Sequence, residues 1–368
     1  MSRSAPAALS ARLSRLRKRL SALHLESLLI TYPADSRYLT GVSGDDSWAL
    51  ITPRQLIVIS DFRYEEELAA IRSFARIVIR SGAIADAAGS LIADLKLKSV
   101  AFQAEHLTHR AHAAIAATTG AKRLRPTSEL MTRLRAVKDD SEVQCIRTAA
   151  RIQQKALRAT LAAMKPNWSE ADFAAHLEYT MKSLGAEGTG FTSIVAAQTN
   201  SSKPHYRPDA RVKIRRNQAL LVDWGARFGG YTADMTRTFA LGRFPKQIAE
   251  IYPIVLEAQL LAIQAARPGA RLVDVDRAAR AHISKHGYGK QFGHGLGHGI
   301  GLDIHELPSL SPRSPEKETL VPGNVVTVEP GIYLPGVGGV RIEDDVLITK
   351  SGCTLLTDFP KSLSSAIL

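Results

Sequence analysis

The run Gly293-His294-Gly295-Leu296-Gly297-His298-Gly299-Ile300-Gly301-Leu302 constrains this chain more than any other stretch. Glycine takes every odd position, and His294, Leu296, His298 and Ile300 alternate with it. An extended strand satisfies a period of two and a helix does not, and the glycines themselves disfavour a helix. The bare face they leave lets a neighbouring backbone press close. Two histidines four apart on a strand stand roughly 13 Å apart at about 3.3 Å per residue, too far to grip one metal ion. One is therefore a ligand at most, and the other does something else. Taken alone, the run reads equally well as a flexible glycine-rich loop.

Its candidate partners are carboxylates on short apolar runs. Asp223 follows Ala219-Leu220-Leu221-Val222, and Asp234 comes eleven residues later, past Gly229-Gly230 and ahead of Met235-Thr236-Arg237-Thr238-Phe239. This predicts a hairpin across which the two acids meet. Glu329 ends Val325-Val326-Thr327-Val328, and Pro330 stops that strand while holding Glu329 extended. Glu343 closes Val340-Arg341-Ile342-Glu343, where Arg341 shares its face. Any one of these acids reads as an ordinary strand-end residue, but the set in this order does not. Buried carboxylates are costly unless a positive charge neutralises them, and four ask for more than one cation. One imidazole with four carboxylates is a hard, oxygen-rich set that suits a pair of divalent ions such as manganese, cobalt or zinc.

The segments Asp223 to Thr238, His294 to Glu306, Glu329-Pro330-Gly331 and Arg341-Ile342-Glu343 resemble the aminopeptidase P, prolidase and methionine aminopeptidase family, the pita-bread metallopeptidases. The likeness extends through Phe191 to Tyr206 and, more weakly, over the N-terminal third. It implies a two-domain α/β protein: a creatinase-like N-terminal domain over residues 1–132, and a catalytic pita-bread domain over 137–368 whose pseudo-twofold antiparallel sheet is flanked by helices. In the family the first domain packs over the active site and helps form a homodimer. Carried over residue by residue, the resemblance makes Asp223 a ligand of one ion and His298 and Glu329 ligands of the other, with Asp234 and Glu343 bridging both. It gives His205, His294, His305 and Arg341 to the substrate side: His305 donates to the carbonyl oxygen as it becomes tetrahedral, His205 assists, and Arg341 braces the carboxylates. Glu329 shuttles the proton. The implied cofactor is two divalent ions, manganese first, cobalt or zinc otherwise. The implied reaction is hydrolysis of an Xaa-Pro bond, in dipeptides or at the N-terminus of longer peptides. A full N-terminal domain separates the chain from methionine aminopeptidases, and retention of all five ligands separates it from creatinase.

Composition agrees with this without narrowing it. At 368 residues with 45% hydrophobic content the chain suits two cores. Cys145 and Cys353 are its only cysteines, which is no disulfide framework and points to a reducing, cytoplasmic setting. No apolar run approaches the ~18 residues of a membrane span. The net charge of +13 leaves a second reading, a pita-bread fold used to bind protein or nucleic acid, although a basic balance is more often a solubility feature. A third reading is another C–N or C–O hydrolase on the same dimetal centre. The basic run Arg207, Arg211, Lys213, Arg215 and Arg216 reads as a solvated loop or as a counter-charge for a dipeptide's carboxylate.

In chain order, Leu9, Leu13, Leu16, Leu20 and Leu23 mark an amphipathic first helix. Its Arg- and Ser-rich opening also fits a transit peptide, but it runs straight into the strand at Leu28. A hairpin over 47–60 turning at Pro53, strands at 76–79 and 100–103, and helices near 84–95 and 107–118 give an α/β unit in which Arg37, Tyr38 and Trp48 are candidates to touch substrate, with burial in that domain's own core the expected fate of the two aromatics. A basic linker is expected over Lys122 to Arg135. Helices follow from Asp140 or Ser141 to about Met164 and from Ser169 to Gly185, then near 245–267 and 272–286. Each pair precedes ligand-bearing strands.

Overall fold

The structure, a computed structural model, describes residues 5–368. The first four residues, where the expected N-terminal domain begins, lie outside the described residues. The chain divides into two compact units, one ending at Arg135 and the other spanning Ala136–Leu368.

The first unit is α/β. Its elements are α1 (Ala5–Ala22), β1 (Leu28–Ile30), α2 (Pro33–Thr40), β2 (Trp48–Ile51), β3 (Leu56–Ser60), α3 (Glu65–Ala69), β4 (Arg76–Ile79), α4 (Ile84–Asp94), β5 (Val100–Gln103), α5 (His109–Thr119), β6 (Leu124–Thr127) and α6 (Leu130–Arg135). The strands form one mixed sheet in the order β4-β3-β2-β1-β5-β6. Leu9, Leu13, Leu16 and Leu20 bury the inner face of α1, whereas Leu23 falls past the helix end and is 51% exposed. Tyr38 is fully buried. The expected linker at Lys122 to Arg135 is corrected by the structure, since β6 and α6 fill it and belong to this unit. Pro126, which suggested a break, sits in the edge strand, where a missing N–H costs no ladder bond.

The second unit places a helix pair ahead of strands, twice. First come α7 (Asp140–Ala163) and α8 (Glu170–Ser183), then β7 (Gly188–Thr189), β8 (Ile194–Ala197), β9 (Ala219–Trp224), β10 (Ala226–Phe228), β11 (Tyr231–Thr232) and β12 (Met235–Ala240). Then come α9 (Lys246–Ala265) and α10 (Leu272–Lys285), followed by β13 (Gly297–Gly299), β14 (Glu306–Leu310), β15 (Val325–Val328), β16 (Gly331–Leu334), β17 (Gly338–Arg341), β18 (Asp344–Ile348) and β19 (Cys353–Leu355). The main sheets are antiparallel, in the orders β12-β9-β8 and β14-β13-β15-β18-β19. Asp139, not Asp140 or Ser141, caps α7 in a reciprocal box with Glu142, and Ser169 does the same for α8 with Asp172. α9 is long enough and apolar enough on average to cross a membrane, but Lys246, Glu250 and Glu257 interrupt it, so it is not the uninterrupted apolar run of ~18 residues that the sequence lacks. Its face of Ile248, Ile251, Tyr252, Val255, Ala258 and Ala262 is buried in the core of this unit.

Candidate metal centre

Strand periodicity gathers the site. β9 and β12 pair antiparallel with Asp223 opposite Thr236, so Asp223 and Asp234 lie near each other on the hairpin the sequence predicts. β15 pairs with β18 and ends with Val328 opposite Asp344, which sets Glu329 and Glu343 at one end of that sheet. The extended run expected over 293–302 is shorter than its pattern, for only Gly297–Gly299 pairs as a strand. The glycines there have a steric cause. A Cβ on Gly297 would lie 2.0 Å from the Thr327 carbonyl oxygen, and one on Gly299 2.1 Å from that of Leu307. Only glycine lets three strands approach this closely on either side of His298.

Asp223, Asp234, His298, Glu329 and Glu343 all face one cavity of about 1000 Å³ built from the second unit. Asp234, His298 and Glu343 each bring a ligand atom within 4.8 Å of the others. His298 Nε2 lies 3.4 Å from Glu329 Oε1, and its Nδ1 is 3.0 Å from the Gly299 carbonyl. An Nδ1–H donating to that carbonyl fixes the tautomer whose Nε2 lone pair points into the cluster. Arg341 Nη2 donates to Asp223 Oδ2 at 2.6 Å, its Nε donates to Thr236 Oγ1 at 3.0 Å, and Thr236 Oγ1 donates to Glu343 Oε2 at 2.6 Å.

The donor set fits divalent cations on an observation independent of any likeness. Asp223 Oδ1, Asp234 Oδ1 and Glu343 Oε1 are buried with no hydrogen-bond partner among the described residues. Unmet buried carboxylate oxygens are expensive, and a cation satisfies them. Burial, then Glu343 and Asp223, push the Asp234 carboxyl well above its usual range, and burial, then Glu329 and Asp223, do the same to Glu343. Burial holds Glu329 up at about 8 against the pull of Arg341. His298 is depressed to about 4 by burial and then by His305, so it is a neutral ligand at pH 7.

The remaining residues expected at the site also line the cavity. His205 and His305 are exposed in it, and the His305 ring stands 4.4 Å from that of His298 at 78°. His294 is held differently. Its Nδ1 lies 2.8 Å from the Gly295 carbonyl, its Nε2 lies 3.0 Å from the Tyr333 hydroxyl, and that hydroxyl accepts from Arg341 Nη1 at 2.9 Å. Sequence reasoning missed Tyr333, Thr236 and Asp345, whose Oδ2 accepts from the Asp234 amide at 3.0 Å. Thr236 and Asp345 were within reach of the period-two rule, being two residues on from Asp234 and Glu343. Of the basic run only Arg207 lines the cavity, and Arg211 is paired with Asp209.

A two-unit α/β protein whose second unit gathers four acids and a histidine, three of the acids with unmet buried oxygens, is built to bind divalent cations. The chain belongs to metallopeptidase family M24, which its residues 144–350 match, while residues 12–137 match the creatinase/prolidase N-terminal domain. It is 37% identical over 352 residues to the uncharacterized peptidase YqhT of Bacillus subtilis, across 96% of this chain and 99% of that one. It is 39% identical over 242 residues to the Xaa-Pro dipeptidase of Pyrococcus horikoshii, across 66% and 68% of the two chains. Its fold superposes on a solved Xaa-Pro dipeptidase from Bacillus anthracis with a TM-score of 0.92 at 36% identity, covering 98% of this chain and 100% of that one. For an X-Pro aminopeptidase from Thermotoga maritima the TM-score is 0.87 at 34% identity, covering 94% and 99%.

Proposed function

We propose that this chain hydrolyses Xaa-Pro peptide bonds with two divalent ions, manganese by preference, acting as a homodimer in the cytoplasm. The observation that carries the reading is the set of unpartnered buried oxygens on Asp223, Asp234 and Glu343 beside a neutral His298. Asp223 would hold one ion, His298 and Glu329 the other, and Asp234 and Glu343 both. Divalent cations supply Lewis acidity there and bring the pKa of a water towards neutrality.

The chain's own groups do the rest. Glu329, 17% exposed at the cavity wall, takes the proton of the attacking water and returns it to the leaving nitrogen. His305, whose pKa is lowered by partial desolvation and then by His205, donates its N–H to the carbonyl oxygen as negative charge builds there, and His205 assists from the same wall. His294 is committed through Tyr333 to Arg341, so it orients that guanidinium and shapes the substrate wall. The scissile amide of an Xaa-Pro bond is tertiary and carries no N–H. Recognition then rests on ring shape, for which Phe191, Ile194, Tyr206 and Ile304 offer apolar surface.

Assaying Xaa-Pro dipeptides against Xaa-Pro tripeptides, each with added manganese and with chelator, tests the reading. Cleavage of either series that chelator abolishes is the expected result, and the preferred series separates dipeptidase from aminopeptidase. Turnover indifferent to both chelator and manganese would overturn the proposal.

A further inference from the structure

Behind the metal centre lies a second layer of charge that the reaction does not use. Consecutive residues of a strand face opposite ways, so Glu343 turns into the cavity and Asp344 away from it, and on β12 Thr236 turns towards the Glu343 carboxylate and Arg237 away from it. Asp344 and Arg237 are buried and joined at 2.7 Å. Arg237 Nη1 also donates to the backbone carbonyls of Thr236 at 2.9 Å and Glu343 at 2.5 Å. One guanidinium therefore ties together the two backbones that carry the cavity-facing side chains.

Gln259 of α9 donates its Nε2–H to Asp344 Oδ2 at 2.8 Å, and the other members of this layer come from the segment 357–361. Arg237 Nη2 donates to the Phe359 carbonyl at 2.7 Å. Lys361 Nζ donates to Asp344 Oδ2 at 2.6 Å and to Gln259 Oε1 at 2.7 Å, and Thr357 Oγ1 donates to Asp344 Oδ1 at 2.7 Å. Thr357 Oγ1 also accepts the Asp345 amide at 3.2 Å, and Asp345 in turn holds the Asp234 amide. Both Asp234 and Glu343 are thus anchored to this strap, one through Asp345 and the other through Arg237.

We propose that the strap 357–361 is a positioning device for the metal centre, with Lys361 and Thr357 setting how tightly Asp234 and Glu343 hold cations. The inference rests on the reading of the centre given above. The full chain is stripped with chelator and titrated with manganese(II) alone, without substrate. Lys361→Met is expected to weaken manganese binding about 10-fold, the scale for partners that orient ligands, while Lys361→Arg retains most of the wild-type affinity. Thr357→Val, which removes one hydroxyl and carries the test if Lys361→Met does not fold, shifts affinity the same way. Activity at saturating manganese stays close to wild type in both, with the half-activating concentration raised. Wild-type manganese affinity in folded Lys361→Met or Thr357→Val, whatever their melting temperature, overturns the proposal. A wild-type chain that binds no manganese overturns the reading of the centre itself and the strap's role with it.

Discussion

Asp35 in the first unit and Asp234 in the second are both buried carboxylates, and their surroundings are opposite in sign. Asp35 Oδ1 accepts from Arg135 Nη1 at 2.7 Å and its Oδ2 from Gln103 Nε2 at 2.5 Å. Burial raises its carboxyl, and every other neighbour, Arg135, Gln103 and His106, pulls it back down. Burial raises Asp234 too, but Glu343, Asp223, Asp345 and Glu329 all push it further up, and its Oδ1 has no partner among the described residues. The second unit can close a buried charge, as Lys138 does with Glu306 at 3.0 Å and Arg237 with Asp344. Its open acids are therefore a local arrangement and not a general looseness. A charge met inside the fold holds structure, and a charge left unmet in a cavity is kept for something the chain binds.

The sharpest way to break this contrast is to open the closed pair. Arg135→Met leaves Asp35 buried without its counter-charge and is expected to cost about 3–5 kcal/mol in denaturant unfolding of the first unit. Manganese affinity should not change. A variant of wild-type stability would mean that Asp35 needs no partner and that the comparison has no content. Next in size, Asp234→Asn removes one unmet charge while keeping shape. Turnover should fall by at least about 10²-fold, a loss of roughly 2.7 kcal/mol or more, on the scale of removing one group that stabilises developing charge. Near wild-type kcat with metal content intact would make the open acid as inert as the closed one.

How much of this was legible depended on range along the chain. The five proposed ligands lie on or beside strands whose period of two marks the face each takes, and it is the family resemblance, not local pattern, that assigns roles to residues so far apart in the chain. The helix starts at Ser169 and the hairpins at 48–60 and 219–240 are local patterns. The segment Lys122 to Arg135 misled because basic residues around a proline look like a linker, when an edge strand accommodates both. Tyr333 left no signal, for it acts by meeting His294 from 39 residues away. Lys138 and Glu306 meet across 168 residues, and Lys361 reaches Asp344 only after the chain has turned back through β19. Pattern reports which face a side chain takes, but not which distant side chain will face it.

The smallest expected effect is one of pH, and it separates the two kinds of buried acid in a single protein. In the chelator-treated chain Glu329 has a folded-state pKa of about 8, and Asp234 and Glu343 are raised as well. Between the ordinary carboxyl range and about pH 8 the folded chain therefore keeps protons that the unfolded chain has released. Stability then falls as pH rises through that window. One such proton held across the two units from pH 6 to pH 8 corresponds to about 2 kcal/mol, less whatever the partial exposure of Glu329 screens. Cations that satisfy these oxygens remove the need for the protons, so the gain in melting temperature on adding manganese should widen from pH 6 to pH 8. Asp35 is also raised, but it titrates alike with and without metal and cancels from the difference. Differential scanning calorimetry with and without manganese at the two pH values measures this directly. An equal gain at both would show that the cavity acids are ionised in the metal-free fold, and the distinction between met and unmet charge would then have to rest on the hydrogen-bond geometry alone.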